Sequence, residues 1–247
     1  MERYSAFIEG VDCSGKTTIG KAVAKKANVK NVGELFMCKN NPWNPEATKE
    51  VSTDHPLFIA YLYKAAIWDM LHFDPEKSLM QISFVVYRST AYQIALKIKD
   101  APMFEDLLKY VPKFRKTIIL DASIEARQER LRERSTTLGI RDVSKNDALI
   151  FKRPELVSEM SEIIKEKAIQ YLDAVILDTT NNTVDETTAE VFTLTTNDLT
   201  ESDNRHLAIF SDLDKLQNEI RQHVKNLDKH HAFPEAQISR ILEPISI

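Results

Sequence analysis

The chain is poor in glycine and cysteine, carries no excess of positive charge and contains no long apolar run. Among its 247 residues are five glycines and two cysteines, Cys13 and Cys38. Two cysteines build neither a disulfide framework nor a cysteine-based metal site. His206, His223, His230 and His231 follow no zinc-site spacing and have no cysteine beside them, so they read as surface residues. A formal net charge of −4 excludes a surface built to coat nucleic acid, which needs clustered cations against phosphate. An anionic ligand must then be held by a local site. No stretch approaches the roughly 18 apolar residues of a membrane span, and the opening MERYSAFIEG lacks the apolar core of a signal peptide. The expectation is a cytoplasmic protein with no nucleic-acid or membrane partner.

What is present alternates in period. Residues 4–10, YSAFIEG, form a short apolar run ending in glycine and read as a buried strand, followed by a helical pattern over 16–27. Residues 56–73 are too continuously apolar for a solvent-facing helix and predict a buried one. QISFVVY (81–87) reads as a second strand, with a helix over 89–99 entered through a Ser/Thr cap. KTIILDAS (116–123) is the clearest strand, leading into a helix over 124–134 and a polar segment, 135–147, that reads as a loop. A helix over 154–172 opens with Pro154, and AVILDTT (174–180) closes the series as a strand. Strands alternating with helices predict an α/β fold with a central parallel sheet covered on both faces.

Beyond about residue 193 the pattern changes. TTNDLTESDN (195–204) has the composition of a linker, and 206–231 reads as one amphipathic helix with Leu213, Leu216, Ile220, Val224 and Leu227 on one stripe. Such a stripe either packs on its own domain or joins a second copy as a homodimer, and a single amphipathic helix usually serves its own core.

Two of the five glycines lie in FIEGVDCSGKTT, residues 7–18. Gly10-Val11-Asp12-Cys13-Ser14-Gly15-Lys16-Thr17 matches G-x-x-x-x-G-K-[ST] between a strand and a helix. In that pattern the glycines let backbone N–H groups wrap an oxygen-rich anion at a helix N-terminus. Lys16 then meets the β- and γ-phosphates of ATP, and the Thr17 hydroxyl faces Mg²⁺, with Thr18 in the same first turn. Glu9 and Asp12 set two carboxylates beside the phosphates, where they could bind metal, orient a sugar hydroxyl or accept a proton.

The string FIEGVDCSGKTT resembles the opening of the thymidylate kinase family, F-E-G-x-D-G-x-G-K-[ST], and shares its Ile-Glu-Gly lead-in with deoxynucleoside kinases. Arg88-Ser89-Thr90-Ala91-Tyr92-Gln93 is similar to a second family segment, in which an Asp-Arg pair precedes Ser/Thr and Ala-Tyr-Gln. The resemblance implies a three-layer α/β/α P-loop kinase fold over residues 1–193, with a lid at about 135–147, and a helical C-terminal extension over 194–247. It implies transfer of the ATP γ-phosphoryl group to a (deoxy)nucleoside monophosphate with Mg²⁺. Arg88 would grip the acceptor phosphate, while Ser89, Tyr92 and Gln93 would line its base and sugar pocket. Cys13 leaves the phosphate loop without a basic residue, an arrangement that in this family accompanies arginines on the lid; Arg130, Arg134 and Arg141 are the candidates. Residues 179–182, Thr180 among them, would lie near the adenine.

The departures are specific. Tyr87 stands where the family has its Asp, and KNNPWNP (39–45) replaces the R-E-P-G segment. Lys64 is the nearest counterpart of the arginine that touches thymine, with Phe58 or Tyr61 available to stack on a base. Residues 194–247 match nothing in the family pattern.

Overall fold

The computed structural model describes residues 4–34, 36–38, 40–74, 77–97, 104–138, 147–197 and 205–245. Five strands, β1 (Ser5–Glu9), β2 (Lys30–Glu34), β3 (Leu79–Ile82), β4 (Lys116–Asp121) and β5 (Val175–Asp178), form one sheet in the order β2-β3-β1-β4-β5. Every pairing is parallel. Central β1 is buried along its whole length, as a strand covered by helices on both faces must be.

The strand period assigns its residues to two layers. Ala6 and Ile8 join Ile82, Ile118 and Leu120 beneath α1 (Lys16–Lys26) and α6 (Val184–Thr196). Phe7 points the other way, into the larger core, where its ring lies 5.3 Å from that of Phe114 and 5.9 Å from that of Tyr87. The larger core is built on α2 (Phe58–Leu71), α3 (Val85–Ala95), α4 (Ile124–Leu138) and α5 (Pro154–Leu172). Helix α1 lies so close to β3 that a Cβ on Gly20 would sit 2.6 Å from Ile82 Cγ1.

Three expectations are corrected. The strand expected over 81–87 ends at Ile82, and Phe84 to Tyr87 enter α3. Val85, Val86 and Tyr87 are buried on every side, and a short apolar run in a helix so placed has no period to distinguish it from a strand. Residues 135–138 extend α4; the hydroxyls of Ser135 and Thr136 donate to the Arg132 carbonyl at 2.8 and 3.1 Å, absorbing their polarity inside the helix. His206 is buried rather than exposed, edge-on to Phe73.

The C-terminal region begins with a 3₁₀ turn, Arg205–Ala208, continues as α7 (Ile209–Asp228), and ends in α8 (Glu235–Leu242). Ile209, Leu213, Leu216, Ile220 and Val224 of α7 are buried, and α7 packs on α2. This explains why α2 is apolar around its circumference: one side meets the core and the other meets α7. The Tyr63 hydroxyl donates to Glu219 Oε2 at 2.9 Å across that contact. Ile241 and Ile245 enter the same hydrophobic cluster as Phe7 and Tyr61. Among the described residues, no helix is long and apolar enough to cross a membrane.

Candidate active site

At the C-terminal edge of β1 the chain turns through Gly10 to Gly15 into α1. The two glycines serve different needs. A Cβ on Gly10 would overlap the Leu120 carbonyl and sit 2.6 Å from Ser14 Oγ, so the position demands space. Gly15 has room, with only Ile19 within 3.7 Å, but adopts φ 95°, so it demands left-handed backbone. Cys13 shares that conformation at φ 61° without being glycine. Burial pushes the Cys13 thiol up to about 11, which leaves it protonated and a weak nucleophile at neutral pH. Gly15 caps α1 without any side-chain hydrogen bond, so the first-turn N–H groups face the loop. Ser14 Oγ is buried and has no hydrogen-bond partner among the described residues. A Cβ-excluding cradle, open N–H groups and an unsatisfied hydroxyl fit a phosphate chain.

Three cations converge on Asp12. Arg88 Nη2 donates to Asp12 Oδ2 at 2.9 Å, and Lys16 Nζ lies 3.5 Å from Oδ1 while donating to the Val11 carbonyl at 3.3 Å. Arg134 adds its charge from α4 and pairs with Asp147 at 2.6 Å. Burial opposes ionisation of Asp12, yet Arg88 and Lys16 outweigh it and hold the carboxyl below its ordinary range. Lys16, Arg88 and Arg134 come from β1–α1, α3 and α4, so the topology, and no sequence neighbourhood, gathers them. Asp147, inside the segment that reads as a loop, is the partner that sequence patterns did not single out. Arg141 lies outside the described residues.

Arg130, one turn before Arg134, ties the phosphate loop to the loop after β5. Its guanidinium donates to the carbonyls of Cys13 and Ser14 at 3.4 Å each, to Thr179 Oγ1 at 3.2 Å and to the Thr179 carbonyl. The Thr180 hydroxyl accepts from the Ser123 N–H at 2.9 Å and donates to Asp178 at 2.5 Å. Beneath them Asp121 is held by Arg127, by Ser161 at 3.0 Å and by Lys165 at 2.8 Å. Burial works against its charge, but Lys165, Ser161 and Arg127 keep its carboxyl below the usual value.

Glu9 is fully buried at the end of β1. It accepts from the Gly10 N–H (2.9 Å), the Phe84 N–H (2.8 Å) and the Ser83 hydroxyl, which is 2.9 Å from each carboxylate oxygen. Burial raises its carboxyl, opposed by Lys16 and by the two N–H groups.

Beside Arg88 a cavity of about 20 Å³ is lined by Val11, Asp12, Tyr92, Leu149, Met160 and Ile164 among others. Tyr92 thus faces the Asp12–Arg88 pair, and Ser89 lies half-buried on the same helix. Gln93 is buried with its Nε2 lacking a hydrogen-bond partner among the described residues. Tyr87, in place of the expected Asp, turns into the core, 1% exposed.

Phe58, Tyr61 and Lys64 require correction. Lys64 Nζ donates to the carbonyls of Ile241 (2.9 Å) and Glu243 and sits 3.3 Å over the Trp43 ring. Burial draws its pKa down to about 7. Tyr61 is 1% exposed beside Trp43, and half-buried Phe58 packs against the core. Lys64 and Tyr61 serve the junction between α2, the 41–50 segment and the C-terminal helices, where Arg240 also reaches Glu50 at 3.4 Å. A carbonyl-rich chain end occupies the lysine that sequence position had assigned to a base.

Solved structures similar to this one include thymidylate kinase from Candida albicans, at 14% identity and TM-score 0.56 over 77% of this chain and 90% of that chain. Deoxyadenosine kinase from M. mycoides, with the products dCMP and a flexible dCDP bound, is similar at 15% identity and TM-score 0.52 over 75% of this chain and 95% of that one. The fold is that of the P-loop kinases. The sequence matches no protein-family model and no curated protein significantly.

Proposed function

We propose that this P-loop protein is a phosphotransferase that moves the γ-phosphoryl group of ATP to a nucleoside monophosphate. The observation that carries the reading is the convergence of Lys16, Arg88 and Arg134 on Asp12 at the mouth of the phosphate loop. Lys16 and the α1 N-terminus suit the donor phosphates; Arg88, a planar two-donor fork on a separate helix, suits a second anion opposite them. Arg134 would stabilise charge on a phosphoryl group in transit. Thr17, half-buried at the start of α1, and Asp12 would hold Mg²⁺, which would neutralise charge on the phosphates. Among the described residues no group of three or more His, Cys, Asp or Glu could hold a metal. Thr180, in the loop after β5, would adjoin the adenine, and Arg130 on α4 would contact the same nucleotide.

The rival reading, a deoxynucleoside kinase with Glu9 as proton acceptor, has less support, because both Glu9 oxygens already accept hydrogen bonds inside the protein. A module that binds ATP without turnover is the remaining alternative. An ADP-release screen over nucleosides and nucleoside monophosphates, with Lys16→Ala as the blank, separates the three. A monophosphate acceptor whose turnover collapses in Arg88→Ala is the expected result. Turnover untouched by Arg88→Ala, or confined to unphosphorylated nucleosides, rejects the proposal.

A further inference from the structure

We infer that Glu9 and Ser83 form a buried clamp that fixes Arg88 relative to the phosphate loop, with both acting as positioning residues. The inference rests on the functional reading above for its consequence in turnover, and on geometry alone for the clamp itself. Glu9 is the last residue of β1 and Ser83 the first beyond β3, and these are neighbouring parallel strands paired up to Ile8↔Ile82. At their ends the backbones diverge: β1 turns into the phosphate loop and β3 turns into α3, which carries Arg88 in its first turn. One carboxylate spans the divergence. It takes the N–H of Gly10, first residue of the loop, and the N–H of Phe84, the residue that caps α3. The Phe84 carbonyl in turn accepts from the N–H of Tyr87 at 3.1 Å. A single buried carboxyl group therefore sets the spacing between the donor-binding loop and the helix that presents the acceptor-side arginine.

Ser83 completes the clamp and shows that the turn is built for it. Its backbone is left-handed at φ 62°, a conformation that costs a non-glycine residue free energy and persists only where its surroundings enforce it. Here they do. The Ser83 N–H donates to the Ile8 carbonyl at 2.8 Å, its carbonyl accepts from Gln81 Nε2 at 2.7 Å, and its hydroxyl is shared between the two Glu9 oxygens. Glycine would meet the backbone demand but would lack the hydroxyl donor that Ser83 supplies to Glu9. Glu9 has no exposed surface, and every donor described on its carboxyl group belongs to the protein.

The test uses the full chain and the variants Glu9→Gln, Ser83→Ala and the double variant, with two readouts. The first is phenylglyoxal labelling of Arg88, followed by peptide mass spectrometry, which needs no turnover. Loosening the clamp exposes Arg88, so its labelling rate should rise severalfold in each single variant and no further in the double. The second is steady-state kinetics with ATP and the acceptor found in the screen. The acceptor KM should rise roughly tenfold to a hundredfold, as expected for a misplaced binding group, while KM for ATP and kcat change little. Should Glu9→Gln fail to fold, Ser83→Ala removes only a hydroxyl and carries the same test. Unchanged Arg88 labelling in both variants overturns the clamp. So does a collapse of kcat in Glu9→Gln, with loss of the acidic limb of the pH profile, while Ser83→Ala behaves as the parent; that is the signature of a base. If no acceptor is turned over, the functional reading falls and labelling alone still decides the clamp.

Discussion

Two residues of the site, Cys13 and Ser83, hold left-handed backbone that side chains normally avoid, at φ 61° and 62°. Ser83 is compensated by its hydroxyl bonds to Glu9, whereas the described contacts give Cys13 no comparable return for its strain. Its position inside the phosphate loop is imposed by the turn between Gly10 and Gly15. Cys13→Gly should therefore be more stable than Cys13→Ala by about 1 kcal/mol, since alanine keeps the left-handed penalty that glycine escapes. Urea unfolding of the two variants measures the difference, and equal stabilities would mean that the loop carries no strain there. At this scale the sequence was highly informative. The phosphate loop could be named from spacing because phosphate chemistry demands particular residue types at short separations, whereas Arg88, Arg130 and Arg134 were suggested by the family resemblance. Ser83 could not be named, because its value depends on Glu9, which lies next to it only through strand pairing.

Helix α2 shows what the next scale adds. Its unbroken apolar sequence predicted burial correctly, but not what would cover it. The cover is α7 on one side and, at Lys64, the carbonyl-bearing end of α8. Lys64 is buried by the chain end and bonded to two carbonyls over an indole face, so its loss should be felt as loss of docking. Lys64→Met keeps the aliphatic stem and removes the donors, leaving two carbonyls unpaired. The expected cost is roughly 1–3 kcal/mol in chemical denaturation, with faster proteolytic cleavage near α8. A variant as stable and as protease-resistant as the parent would show that the Lys64 contacts contribute little. The same scale accounts for the misread strand at 84–87: a helix sunk in the core on all sides has no amphipathic period to reveal it.

For the whole molecule, the question is whether the C-terminal region is an appendage or part of the core. The sequence pattern separates 194–247 by composition, yet Ile209, Leu213, Leu216, Ile220, Val224 and Ile241 sit in the same hydrophobic cluster as Phe7 and Tyr61. Burying such side chains stabilises by roughly 1.5–3 kcal/mol each, and their sum rivals the roughly 5–15 kcal/mol that holds a typical domain together. A chain ending at residue 197 should accordingly lose cooperative thermal unfolding, as followed by circular dichroism. A sharp transition near that of the full chain would instead establish residues 1–197 as an independent domain.

The α/β alternation and the phosphate loop were legible in the chain because each rests on local rules: the two-residue strand period, the helical repeat, and the short spacing that wraps backbone around phosphate. Their convergence on Asp12, the buried bridge from Glu9 to Ser83, and the capture of Lys64 by the carbonyls of α8 were decided by the fold. Each joins residues far apart in sequence through parallel pairing or helix packing, and such contacts leave no period or motif behind. Lys64 marks the boundary well: its position in the chain suggested a ligand, and the tertiary structure gave it a backbone to hold.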